Sequence, residues 1–345
     1  MKKKVLLTGA SGNVGFLVFK ELLLRKDEYN IRLLVLGSKD EKRLFKPYNK
    51  SVEIVWGDLR DPVDVEEAVT GVDVIIHLGA LIPPTADRYP ALAEAVNVGG
   101  TKNILDSMKK QNKPVKLIYS SSVAVYGDRV KNPWITVNDP LNPSVGDEYA
   151  VTKIKAERLI QASGLRWAIF RFSAITNLNY KLDPIMFHVP LDTSIEYCLA
   201  EDAAYCLVQA IECDEILGHT YNLGGGEKCR ATYRELVSTI LGFYGISSDV
   251  LFDELFATTN FHCGFYADGM KLDNLLRFQR GGLEDYYDLM NSTIPSFQKW
   301  LFRFIPKIFI RKYFERISEP FQALKNNDEE LIMRFYGEIM SEFEG

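Results

Sequence analysis

Tyr149 and Lys153 lie four residues apart in Tyr149-Ala150-Val151-Thr152-Lys153, so a helix would place a phenol and an ammonium on one face. A free tyrosine ionises near about pH 10 and is a poor base at neutrality. A neighbouring cation favours phenolate, so the pair predicts a lowered phenol pKa. Such a group can give or take a hydroxyl proton while hydride moves at the same carbon.

A Tyr-x-x-x-Lys pair alone is common. A glycine-rich turn gives it weight: Thr8-Gly9-Ala10-Ser11-Gly12-Asn13-Val14-Gly15 follows an apolar run and opens an amphipathic one. Glycines there permit a tight turn and close backbone approach to a pyrophosphate, with the phosphates on free N–H groups at a helix N-terminus.

The elements that must carry these groups alternate along the chain. Strands are predicted at 5–7, 31–36, 51–56, 72–78, 115–120, 166–171 and 220–223. Helices are predicted at 14–25, 61–69, 91–110, 149–163 and 202–212. Strand and helix in repetition imply an α/β fold: a Rossmann-like, doubly wound parallel sheet with a smaller, mainly C-terminal substrate-binding region. The expected division is a dinucleotide-binding core over 1–171, to which 198–225 returns. The substrate region would take 172–197 and 226–295, and a helical tail 296–345. Residues 132–147 hold three prolines and read as an ordered loop over the site.

The 345 residues are 47% hydrophobic and 25% charged, ordinary for a soluble globular protein, and the net charge of −5 argues against nucleic acid as a partner. The five cysteines are odd in number and show no CxxC spacing, so neither a disulfide framework nor a metal site is expected. The basic Lys2-Lys3-Lys4 start is followed by an apolar run too short for a signal peptide, and a cytoplasmic location is expected.

The GxxGxxG spacing resembles the short-chain dehydrogenase/reductase superfamily, and other segments narrow the resemblance to its extended branch, the NAD-dependent epimerase/dehydratase family. These segments are Trp56-Gly57-Asp58-Leu59, His77-Leu78-Gly79-Ala80 and Asn97-Val98-Gly99-Gly100-Thr101. Ser120-Ser121-Ser122 also precedes Tyr149 by the interval that extended members show. The resemblance implies catalysis by Ser122, Tyr149 and Lys153, with Ser122 polarising the substrate oxygen. It also implies cofactor contacts from Gly9, Ser11, Gly12, Asn13, Val14, Gly15, Leu59, Leu78, Gly79, Ala80, Asn97, Ser120, Tyr149 and Lys153. Asp58 would meet the adenine amino group. His77 reads as a packed strand-end residue.

At the end of the second strand, Leu36-Gly37-Ser38-Lys39 offers no carboxylate at the usual place for a ribose 2′-hydroxyl. Ser38, Lys39, Lys42 and Arg43 could hold a 2′-phosphate, although Asp40 and Glu41 would oppose it. This balance favours NADP, with NAD as the alternative.

Two departures bear on the substrate. Sugar-nucleotide dehydratases of the family carry Asp-Glu where this chain has Val123 and Ala124. Arg171 reaches Asp202 in only 31 residues, without the long insertion that contacts a sugar nucleotide. A smaller or less charged substrate is expected, walled by the loop Leu81-Ile82-Pro83-Pro84-Thr85, with Asn177 and His188 as further polar candidates. The first reading is an oxidoreductase acting on a secondary alcohol or ketone. The alternatives are a sugar-nucleotide epimerase without net cofactor turnover and a non-enzymatic nucleotide-sensing regulator. The resemblance further suggests a homodimer.

The segment 296–317 carries six basic residues and one glutamate, +5 in all, leaving −10 for the rest. Lys299, Arg303, Lys307 and Arg311 recur every four residues beside Trp300, Phe304 and Ile308. Such a segment packs onto a protein surface with its cationic stems snorkelling, or lies on an anionic membrane. Pro306 should kink or divide the helix.

Overall fold

Short aliphatic runs buried on both faces build the centre of the molecule, as parallel sheets require. A computed structural model describes residues 2–177, 184–259 and 263–337. The first half runs β1 (Lys3–Thr8), α1 (Asn13–Leu24), β2 (Tyr29–Val35), α2 (Lys39–Phe45), β3 (Glu53–Trp56), α3 (Pro62–Val69) and β4 (Val74–His77). Then come α4 (Thr85–Arg88), α5 (Pro90–Ala93), α6 (Gly100–Lys109), β5 (Lys116–Ser122), β6 (Trp134–Ile135), α7 (Glu148–Gln161) and β7 (Arg166–Phe172). The second half holds β8 (Ala174–Ile175), β9 (Ser194–Cys198), α8 (Ala200–Gln209), β10 (His219–Leu223), β11 (Arg230–Thr232), α9 (Tyr233–Phe243), β12 (Phe265–Tyr266), α10 (Met270–Leu276) and α11 (Leu283–Thr293). It ends in α12 (Ser296–Phe302), α13 (Lys307–Ile317), α14 (Glu319–Asn326) and α15 (Glu329–Tyr336).

The main sheet has seven strands, ordered β10-β7-β5-β4-β1-β2-β3, and every pairing is parallel. All seven predicted strands lie in it. Strand order reverses between β1 and β4, which opens a crevice at their carboxyl ends. One apolar layer packs α1 and α8 on one face of the sheet, and another packs α3, α6 and α7 on the opposite face. The helix predicted over 91–110 is not continuous: α5 and α6 are joined by a wider, π-type stretch at Glu94–Gly99.

A third core, around Phe187, Phe256, Tyr266 and Phe314, lies in the second half. It carries a small sheet in which β9 pairs antiparallel with β11 and parallel with β8, and a parallel pair of β6 with β12. The expected loop over 132–147 thus contains a strand.

Buried polar groups tie the two regions together. Arg171 donates to both carboxylate oxygens of Glu157, at 3.0 and 2.7 Å, and to the Tyr126 hydroxyl at 2.7 Å. Tyr126 donates in turn to Asn222, and Asn222 to Asp268. Glu196 accepts from the Tyr266 and Gly226 amides and from Arg230. Each of these two glutamates is 1% exposed, so each charge is held by designated partners, as burial demands.

Candidate active site

The glycine turn is shaped by contact. Gly9 takes a positive φ of +70°, and a Cβ there would meet the Gly79 amide nitrogen at 2.7 Å, so the end of β4 presses on the turn after β1. A Cβ on Gly15 would lie 2.0 Å from the Gly9 carbonyl oxygen. Gly12 caps α1 in extended conformation and supplies no side chain, which leaves the first-turn N–H groups facing the cleft. The cleft has a volume of about 670 Å³ and runs from this turn past Gly79, Ala80 and Leu81 to Ser122, Tyr149 and Lys153.

Asp147 accepts from the Ala150 amide and starts α7, which carries the Tyr-Lys pair. Tyr149 and Ser122 line the cleft together. Burial pushes the phenol pKa up, with the Ser122 hydroxyl pulling the other way and Asp147 adding to the rise. Lys153 is buried and donates to the Ser120 carbonyl at 2.7 Å. Its ammonium lies 4.7 Å from the Tyr119 ring centroid and 5.6 Å from that of Tyr149. Burial pulls the Lys153 pKa down to about 7, against an opposing push from Glu157. The sequence expectation of a phenol made acidic by the ammonium is therefore corrected: burial raises the phenol and lowers the ammonium, each toward its neutral form.

A family model for 3-beta hydroxysteroid dehydrogenase/isomerase matches residues 6–167, the stretch that holds both the glycine turn and the Tyr-Lys pair. Sanguinarine reductase of Eschscholzia californica is 28% identical over 247 residues, covering 65% of this chain and 89% of that protein. The Escherichia coli O157:H7 N-acetyl-alpha-D-glucosaminyl-diphospho-ditrans,octacis-undecaprenol 4-epimerase is 33% identical over 165 residues, covering 47% of this chain but only 44% of the epimerase. An Agrobacterium tumefaciens short-chain dehydrogenase/reductase superfamily protein, solved with bound NAD, shares the fold with a TM-score of 0.64 at 21% identity. It covers 84% of this chain and 96% of that one. The chain is similar to these proteins in sequence and shares the fold of the short-chain dehydrogenase/reductase structure.

Of the residues expected from the superfamily pattern, Gly9, Ser11, Gly12, Asn13, Val14, Gly15, Asp58, Leu59, Leu78, Gly79, Ala80, Ser120, Ser122, Tyr149 and Lys153 all line the cleft. Asp58 is paired with Arg60, whose hydrogen bonds hold its carboxyl below the usual range. Asn97 does not line the cleft; it stands behind the wall, bonding both backbone groups of Leu81 and the Thr152 hydroxyl. His77 bonds Thr8 and Thr101 in the core, and burial lowers its pKa to about 3, as befits a packed residue. Leu81 and Ile82 reach the cleft, and so does Asn177. His188 instead bonds Glu319 of α14.

The 2′-phosphate expectation fares differently. Ser38 caps α2, Lys42 lies over the Trp56 ring, and the exposed Arg43 pairs with Asp40. Neither they nor Lys39 line the cleft, whereas Glu41 does, accepting from the Ser11 hydroxyl at 2.9 Å. Glu41, expected only to oppose a phosphate, is a cleft residue. The signal lay in its place three residues after Ser38, since the capping box points its carboxylate back toward the helix start.

Proposed function

We propose that the protein is an NAD(P)-dependent oxidoreductase moving hydride at a secondary alcohol or ketone carbon, with Ser122, Tyr149 and Lys153 as its catalytic set. The observation that carries this reading is the meeting of those three side chains in the same cleft as an uncapped, glycine-walled helix start. That cradle suits a dinucleotide: its first-turn N–H groups fit a pyrophosphate, and a Cβ at Gly9 or Gly15 would force its packed backbone segments apart. A bound nicotinamide would supply or accept the hydride. Ser122 is placed to hydrogen-bond the substrate oxygen, and Tyr149 to exchange a proton with it. A phenol is protonated at neutral pH, so Tyr149 starts as the donor in carbonyl reduction. Lys153, four residues on, is the cation that orients the cofactor ribose.

Glu41 turns the cofactor reading toward NAD, since a carboxylate accepts from a ribose 2′-hydroxyl and repels a 2′-phosphate. Val123 and Ala124 are buried and carry no acid, which argues against water elimination. The similarity to the E. coli 4-epimerase favours one second reading, oxidation and re-reduction of a single carbon without net cofactor use.

The test combines NADH and NADPH titrations with turnover on a panel of carbonyl compounds. NADH should bind at least about tenfold more tightly than NADPH, and net NADH loss distinguishes reductase from epimerase. Tyr149→Phe should keep NADH affinity within about twofold while turnover falls about a hundredfold or more. Unchanged turnover in that variant would reject the catalytic assignment.

A further inference from the structure

The helices α12 and α13 turn a second apolar surface to solvent that the chemistry above does not use. α12 has no buried residue: Phe297 is 67% exposed, Trp300 56%, and Phe304 just beyond the helix 66%. Their rings form a strip, with centroids 6.3 Å apart from Phe297 to Trp300 and 4.8 Å from Trp300 to Phe304. After Pro306, α13 is anchored through Ile310 and Phe314, the latter packing on Phe187. Ile308 and Phe309 project away from that anchor and are exposed. A surface helix ordinarily buries its apolar stripe against the protein; here the buried stripe has an unburied counterpart.

Cations accompany it. Lys312 and Arg316 follow Ile308 at helical spacing on the same side. Lys307 and Arg311 stay closer to the body, Lys307 bonded to Asp249 and Arg311 over the Phe252 ring. Proline divides the expected four-residue stripe between two helices, so the outward charge is carried chiefly by α13.

We infer that this face seats the protein peripherally on an anionic lipid bilayer. Residues 296–317 carry +5 against −10 elsewhere, so a negative surface attracts this face and repels the rest, fixing orientation as well as binding. Tryptophan, phenylalanine and isoleucine interleaved with lysine and arginine match the headgroup boundary, where ring and cation each find their own layer. Among the described residues no helix is long and apolar enough to cross a membrane, so the contact lies on the surface.

Flotation of the full chain with phosphatidylcholine vesicles, with and without phosphatidylserine, tests this without any substrate, and so independently of the hydride-transfer reading. Recovery should rise at least about tenfold with phosphatidylserine and fall again in high salt. The double variants Trp300→Ser/Phe304→Ser and Lys312→Glu/Arg316→Glu should each lose about tenfold or more. Both alter exposed side chains only, so thermal melts matching the parent serve as the folding control. Equal recovery on neutral vesicles, recovery on neither, or unchanged recovery in both variants would overturn the inference. So would a dimer in light scattering that the tryptophan variant dissolves while vesicles recover nothing, which would assign the face to a second copy.

Discussion

Lys153 holds its amine buried and bonded to one carbonyl, and that has a measurable cost. The unfolded chain binds the lysine proton below about pH 10.4, whereas the folded chain binds it only below about 7. Between these values the unfolded state carries more protons, so the contribution of this group to stability rises with pH across the window and is lowest below 7. Lys153→Met removes that dependence. Melts should show the variant gaining on the parent by on the order of a few kcal/mol as pH falls from 10 to 7, with no further change below; a constant difference would refute the depressed pKa. At this scale the sequence was partly readable. Tyr149 and Lys153 are linked by the covalent spacing of one helix, and their shared face needed no tertiary information. Glu41 was readable only in part: its capping-box spacing from Ser38 is in the sequence, but which of five neighbouring charged residues meets the cleft depends on the rotation of α2, set by burial of Phe45 and the cap at Ser38. The pKa shifts were also hidden, because local charge pairing can be read from spacing and burial cannot.

The turn between β1 and α1 works only because two glycines let three backbone segments touch. Gly15→Ala would drive a methyl group into the Gly9 carbonyl, and backbone cannot swing aside as a side chain can. The expected result is loss of dinucleotide binding together with destabilisation of about 1–3 kcal/mol, read by cofactor titration and melting; normal binding would show that the turn tolerates another path. The seven strands of the main sheet were legible because each is a compact apolar run flanked by turns. The strands β6, β8, β11 and β12 were not, since each has two or three residues and no period to detect. The break at Glu94–Gly99 escaped for a related reason: a π-type stretch keeps the residues of a helix and changes only its pitch.

Across the molecule, Glu157 is the acceptor on which the Arg171 guanidinium rests, and both are buried. Glu157→Gln would leave that cation without its counter-charge, so a loss of about 3 kcal/mol or more is expected in denaturant melts. A change under about 1 kcal/mol would mean that solvent reaches the pair. The same links run from the central sheet through Tyr126, Asn222 and Asp268 into the half that faces the cleft, and Tyr266 closes the circuit by donating to the Arg171 carbonyl. Swinging the two halves apart would strand several of these groups in an apolar interior at once. Admission of a substrate is thereby left to side chains and short loops at the rim, such as Leu81 and Ile82. New specificities on this framework are accordingly reached by re-tailoring the doorway while the walls stay fixed.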